Sequence, residues 1–282
     1  MGSANVGKST LLNAILGAKV AIVSKKPQTT RTRVTGIYTR EGYQIVFLDT
    51  PGIHEPKNKL GEYMVKTAEG AARDADVVLF VADVKTGARE RDRALLEKLP
   101  AGIPVLIALN KTDAVSEERT AEVEQSLAPF GHKMLRISAA TGDGVPALVD
   151  ELKQYLTESP MFYPADMLTD QPPAMMLAEL IREKALKGIG KEIPHGIGVE
   201  IEKMEKDEKK GIFNVDAVIY TEKDSHKGII IGAGGSMLKK IASAARADME
   251  ELLHGKVFLQ VWVKVKPDWR NKQSALRALG YE

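Results

Sequence analysis

Gly2, Gly7, Lys8 and Ser9 give the first residues of the chain the pattern G-x-x-x-x-G-K-S. Few short patterns constrain a fold so strongly. Glycine-permitted backbone N–H groups cradle phosphates, Lys8 reaches the β and γ phosphates, and Ser9 ligates Mg²⁺, so the loop must leave a buried strand and open a helix. The helix is legible, because Leu11, Leu12, Ile15 and Leu16 recur at helical spacing. The strand is not: only Met1 precedes Gly2, where about five or six apolar residues are expected. Such a strand buries about four apolar side chains, worth roughly 6 to 12 kcal/mol, which rivals the roughly 5 to 15 kcal/mol by which a domain is stable. Taken literally, the chain should have a sheet damaged at its centre and weak nucleotide affinity; a sequence that begins late is the alternative.

From residue 37 strand-like apolar runs alternate with helix-like segments, the signature of an α/β fold with a mostly parallel sheet and helices on both faces. The strands read as 43–50, 76–83, 103–110 and 133–138, and the helices as 62–73, 90–99, 117–127 and 145–156. Each strand ends in a polar group, Asp49-Thr50, Asp83, Asn110-Lys111 or Ser138. In open α/β sheets ligands bind beyond the carboxyl ends of strands, so these residues line one functional rim.

Composition narrows the classes. No apolar run approaches a membrane span and no charged-then-apolar leader opens the chain, so a soluble, cytoplasmic protein is expected. Zero cysteines exclude disulfides and thiolate metal sites. His54, His132, His195, His226 and His254 show no metal-ligand spacing. A net charge of +2 does not by itself announce nucleic acid, so any basic surface has to be local.

On the rim, Asp49 of DTPG would hold the Mg²⁺ shell through water and Gly52 would offer its N–H to a γ-phosphate. In NKTD, Asn110, Lys111 and Asp113 follow a strand, and the Asp113 carboxylate is what guanine's N1–H and 2-amino group require. Ser138, Ala139 and Ala140 would place a small loop over guanine O6. Alone, DTPG is more often just a turn, NKTD equally a helix cap and the 138–144 stretch again a turn; their conjunction, in order and at strand ends, carries the assignment. Gly2, Asn5, Val6, Gly7, Lys8, Ser9 and Thr10 complete the nucleotide loop. In SKKPQTTRTR (24–33) a hydroxyl is needed to finish the Mg²⁺ shell when GTP is bound. Thr30 is the first choice and Thr29 the second, making Ser9, Thr30 and Asp49 the metal set. Ile53 stands where many GTPases carry the glutamine that orients the attacking water, so hydrolysis is expected to be slow.

Proline-rich residues 159–173 read as a linker between a domain at 1–158 and another at 174–282. The second domain reads α-β-β-α-α-β, with KGIIIG (227–232) strand-like and a G-x-x-G turn before a helix. This is the layout of a type II K-homology RNA-binding domain. No carboxylate occurs from Ser225 to Ala247. Lys227, Gly232, Ala233, Gly234, Gly235, Lys239, Lys240 and Arg246 form the expected RNA contact, with backbone and helix-start N–H groups on the phosphates. Ile229, Ile230, Ile231, Met237, Leu238 and Ile241 read as core, and Trp262 and Trp269 as packing residues rather than base-stacking ones.

Loop, DTPG, NKTD and SAA in this order resemble the translation-factor-like GTPases, and the K-homology domain narrows the resemblance to the Era family. KPQTTR (26–31), EIPH (192–195), KGIIIG, LKKI (238–241) and WVKVKPDWR (262–270) extend it across the chain. The resemblance implies GTP hydrolysis with Mg²⁺, coupled to binding near the 3′ end of 16S-type small-subunit rRNA during assembly of the 30S subunit. It makes Lys8, Thr30 and Asn5 the catalytic candidates, Asn5 either holding K⁺ beside the phosphates or merely shaping the loop. Ala233 stands where the family usually carries lysine, so one phosphate contact is expected to be missing. A monomer without a DNA partner, and peripheral membrane association, are further expectations. The alternative reading is an RNA-binding module whose G domain, incomplete at its start, does not turn over GTP.

Overall fold

The computed structural model describes residues 1–53, 55–190 and 196–281. His54 and His195, and the EIPH stretch, lie outside them. The chain divides into two compact units, one of residues 1–23, 30–55 and 64–170, the other of 24–29, 56–63 and 171–282. The division falls after residue 170, near the end of the proline-rich stretch, because most of that stretch is bonded into the first unit. Ile37 N–H donates to the Leu168 carbonyl at 2.8 Å, and the Gln44 side chain accepts from the backbone N–H groups of Phe162 and Tyr163.

In the first unit, helix α1 (Lys8–Leu16) follows the glycine loop, and β1 (Val34–Arg40) pairs antiparallel with β2 (Tyr43–Asp49). Strands β3 (Val78–Asp83), β4 (Val105–Asn110) and β5 (Lys133–Ile137) pair in parallel, in that order. Helices α3 (Glu90–Glu97), α4 (Glu117–Leu127) and α5 (Val145–Leu152) alternate with these strands, and α2 (Lys59–Arg73) precedes them. Apolar side chains fill both faces of the parallel sheet: Leu106, Ala108 and Ile137 pack with Leu11, Ile15 and Leu148, and Phe80, Ile107 and Leu109 pack with Leu96, Val123 and Leu127. Burial on both faces is why these strands read as near-continuous apolar runs.

Strand β1 has no counterpart among the strands read from sequence. Gly36 interrupts its pattern, and a Cβ there would stand 2.5 Å from Leu12 Cδ1, so α1 packs closely over the strand at this point.

Among the described residues β2 pairs with β1 and β3 with β4, and residues of β2 and β3 line a cavity of about 1220 Å³. At its edge the Met1 amine donates to the Leu79 carbonyl at 2.6 Å, and the Met1 carbonyl accepts from Val81 N–H at 2.9 Å.

In the second unit, β6 (Gly198–Asp207) pairs antiparallel with β7 (Ile212–Thr221), which pairs in parallel with β8 (Lys256–Val265). Helices α6 (Pro173–Gly188) and α8 (Ser236–Leu252) cover one face through Leu177, Ile181, Ile241, Ala245 and Met249. Residues read as strand-like at 227–232 are instead the end of helix α7 (Asp224–Ile231). Three consecutive β-branched residues favour a strand locally; in the fold the helix buries Ile230 completely and leaves Ile229 50% exposed. Ile229 is therefore not core, whereas Ile231, Met237 and Leu238 pack against it. Trp269 is fully buried, but Trp262 is 44% exposed, contrary to the packing expected of it. On β8 the alternation sends Val261 and Val263 toward the core, and Trp262 to the other face. A short last helix, α9 (Gln273–Ala278), closes the described chain.

Candidate functional site: a phosphate loop, a cation triad and a base-reading rim

The loop from Gly2 to Ser9 is held open by backbone geometry that only certain residues allow. Gly2 has φ 134° and Gly7 has φ 103°. A Cβ would stand 2.4 Å from the Val81 carbonyl oxygen at Gly2 and 2.3 Å from Asn110 Nδ2 at Gly7. Asn5, with φ 65°, occupies the left-handed region that asparagine tolerates best among residues with a Cβ. The Lys8 ammonium donates to the carbonyls of Gly2 (3.1 Å) and Ser3 (2.9 Å), and Thr10 sits in the first turn of α1. Part of Lys8 reaches the surface, yet burial of its ammonium lowers its pKa, opposed by the carboxylates of Asp49 and Asp92.

Three side-chain oxygens from distant parts of the chain meet at Ser9. Its hydroxyl lies 2.9 Å from Thr30 Oγ1 and donates to Asp49 Oδ2 at 2.6 Å. Burial pushes the Asp49 carboxyl up, while Lys8 and the Ser9 hydrogen bond pull it back. An all-oxygen set of two hydroxyls and a buried carboxylate fits a hard cation such as Mg²⁺; Ser9, Thr30 and Asp49 would hold it, and it would supply positive charge beside Asp49. Thr29 points elsewhere, its hydroxyl donating to the Lys26 carbonyl at 2.6 Å. Ile53, after DTPG, packs on the apolar side of α3 and β3.

Asn110 is the hub of the base-reading rim. Buried at the end of β4, it donates from Nδ2 to the Val6 carbonyl (2.8 Å) and accepts at Oδ1 from Ala139 N–H (2.9 Å). It thereby ties the phosphate loop to the 138–140 loop. Lys111, with φ 73°, donates to the Asn5 carbonyl at 2.8 Å and forms an ion pair with Asp83 at 2.6 Å. Ser138 is fully buried and accepts from Thr141 N–H, whereas Ala140 and Asp113 are exposed. The scaffold members are therefore satisfied inside the protein, and the Asp113 carboxylate is left at the surface, accessible to a ligand.

Some contributors are not evident from the motifs. Asp83 anchors Lys111, and its only signal in the sequence is its place at a strand end. Asn13 uses its whole amide on the backbone of Val20 and Ala21, fixing the chain that leaves α1. Asp92 holds Ser3 of the loop.

In the second unit the turn after α7 carries Gly232 (φ 73°), Gly234 (φ 57°) and Gly235 (φ 80°). Gly235 caps α8 without any side-chain hydrogen bond to the first helical N–H groups, the arrangement that favours anions. Ala233, Gly234, Lys239, Lys240 and Arg246 are exposed and Lys227 is half-buried.

A phosphate loop, an oxygen triad and a guanine-compatible rim on a parallel sheet define the first unit as a P-loop nucleotide-binding domain. A family model described as 50S ribosome-binding GTPase matches residues 1–111, and one described as KH domain matches 192–270. GTPase Era of Alkaliphilus metalliredigens is 47% identical over 285 residues, covering 100% of this chain and 97% of the relative. GTPase Era of Caldanaerobacter subterraneus is 48% identical over 287 residues, covering 100% and 95%. Among solved structures, an Aquifex aeolicus Era variant bound to GDP and AlF4⁻ matches at TM-score 0.95 and 38% identity, over 99% of this chain and 96% of that one. Era in complex with MgGDPNP and nucleotides 1506–1542 of 16S ribosomal RNA matches at TM-score 0.96 and 38% identity, with the same coverage. The chain belongs to the Era family of GTPases, and it is a GTP-hydrolysing enzyme that works with GTP, GDP and Mg²⁺. Among its described residues no helix is long and apolar enough to cross a membrane.

Proposed function

We propose that the protein is a slow GTP switch that binds small-subunit rRNA near its 3′ end and assists 30S assembly in the cytoplasm. The functional division is a GTPase domain at 1–158, a linker at 159–173 and a K-homology domain at 174–282. Ser9, Thr30 and Asp49 hold Mg²⁺; the loop from Gly2 to Thr10, with Gly52, holds the phosphates; and Asn110, Lys111, Asp113 and Ser138 to Ala140 hold guanine. Lys8 and Thr30 contact the transferring phosphoryl group. Asn5 holds K⁺ or shapes the loop, and replacing K⁺ by Na⁺ without effect on turnover removes the first role.

The observation that carries the coupling is where the two units divide. The boundary falls inside the switch segment, between Thr29 and Thr30. Thr30 meets Ser9 in the first unit. In the second, the buried Arg182 guanidinium of α6 donates to the Thr29 carbonyl, and Lys26 donates to the carbonyls of Ile189 and Gly190. A bound γ-phosphate and Mg²⁺ would engage Thr30, one peptide bond away from a segment held against α6, so ordering of Thr30 would be felt there. The same Arg182 is paired with Glu179, which holds its side chain toward the Thr29 carbonyl.

RNA engages the Gly232 to Gly235 turn with Lys227, Lys239, Lys240 and Arg246, and Ala233 supplies no cation. A Cβ at Gly232 would lie 2.8 Å from Met237 Cβ, whereas nothing lies within 4 Å at Gly234. Gly234→Asp is thus the clean test, since it adds a carboxylate in a left-handed position that Asp tolerates. Filter binding of a 16S 3′-end fragment should weaken at least tenfold, an estimate of about 1.4 kcal/mol or more for lost phosphate contacts. Undiminished binding refutes the RNA assignment. A peripheral membrane role remains a further proposal, tested by co-sedimentation with anionic vesicles.

A further inference from the structure

The first turn of α3 reaches both loops that the sequence assigns to the phosphates. Asp92 is only 4% exposed; its Oδ1 accepts the Ser3 hydroxyl at 2.5 Å, and its Oδ2 accepts Arg89 N–H at 3.2 Å. Capping the helix start needs only the second bond and is ordinarily done at the surface. Burying the carboxylate against the phosphate loop carries a desolvation cost that capping alone does not explain. Its neighbour Arg91 donates from Nη2 to the carbonyl of Ile53, at the end of the DTPG turn. The Ile53 side chain joins the apolar cluster that contains Leu95 and Leu96 of α3. The two loops also touch: a Cβ on Gly52 would stand 2.8 Å from Ala4 Cα. Ser3-Ala4, Gly52-Ile53 and Arg91-Asp92 thus close a ring of contacts among loop, turn and helix, all within the first unit.

We infer that Arg91 and Asp92 are positioning residues for GTP hydrolysis, the first turn of α3 setting the spacing between the phosphate loop and the DTPG turn. This rests on the GTP-hydrolysing reading of the site. Ile53 has no group to orient a water, so the placement of the Gly52 N–H and the backbone beside it depends on what anchors that turn. Arg91 anchors it by the carbonyl and the apolar cluster by the side chain. Asp92 acts at the other end through Ser3. Fixing two loops relative to each other is the kind of contribution in which a displacement of about 1 Å costs on the order of a hundredfold in rate.

The test uses the full chain with Arg91→Ala, Arg91→Lys, Ser3→Ala, Asp92→Ala and the Ser3→Ala/Asp92→Ala pair. It reads kcat and KM for GTP, and Kd for GDP and for a non-hydrolysable GTP analogue. Arg91→Ala should lower kcat and analogue affinity about tenfold each and leave GDP affinity unchanged, because GDP has no γ-phosphate for Gly52 to meet. Arg91→Lys should recover most of the loss. Ser3→Ala and Asp92→Ala should lower kcat by similar factors and the pair by no more than either, the signature of one shared contact. Variants that lose only thermal stability, with kcat per folded molecule and the analogue-to-GDP affinity ratio unchanged, overturn the inference. If the parent chain binds GTP without turning it over, an altered ratio in Arg91→Ala still upholds the positioning role while the hydrolytic reading fails; no nucleotide binding at all refutes both.

Discussion

Ser9 and Thr30 bring their hydroxyls within 2.9 Å of each other across 21 residues of sequence, and Asp49 closes the group from the end of β2. Helix start, switch segment and strand end each contribute one oxygen to a point where no single element could supply three.

Thr30→Ala removes one of those oxygens from a segment that a γ-phosphate must order. Affinity for a non-hydrolysable GTP analogue in Mg²⁺ should fall on the order of tenfold, about 1.4 kcal/mol, with GDP affinity nearly unaffected. Ser9→Ala should weaken both nucleotides. Fluorescent-nucleotide titration with and without Mg²⁺ separates the two patterns.

Asp113 is exposed beyond a rim whose other members are bonded to the protein. Asp113→Asn replaces an acceptor by a donor, so GDP affinity should drop by roughly two orders of magnitude. Xanthine nucleotides, which carry a carbonyl where guanine carries its 2-amino group, should bind the variant better than they bind the parent. Competition titration with GDP and XDP reads this directly.

Burial lowers the Met1 amine from 8.0 to about 5, so it is neutral in the fold at pH 7. Between about pH 5 and pH 8 the unfolded chain binds the proton that the folded chain refuses, and stability therefore rises with pH across that window. Full burial would make the effect at most roughly 4 kcal/mol, and the partial exposure of Met1 reduces it. Thermal melts at pH 5.5 and 8, compared with an N-terminally acetylated chain that lacks this titrating amine, should show the larger difference in the unmodified protein.

Much of the site was readable because its chemistry is local. A glycine loop, DTPG, NKTD and a Gly-rich turn declare themselves within a few residues, since each must shape a backbone around phosphate or base. Elements whose state depends on packing were not. Strand β1 is hidden by Gly36, over which Leu12 packs; helix α7 looks like a strand until Ile230 is seen in the core; and Trp262 faces outward because β8 alternates its side chains. Asp92 carried no motif, since its partner Ser3 is 89 residues away.

The sequence by itself determined the chemical class: which residues could cradle phosphates, ligate Mg²⁺ and accept from guanine, and in what order along the sheet. Only the tertiary structure decided that the switch segment is shared between two compact units and that α3 fastens the two phosphate-facing loops together. Phosphate-binding chemistry is written in short backbone patterns, whereas coupling and positioning arise from contacts between residues far apart in the chain, which no local pattern specifies.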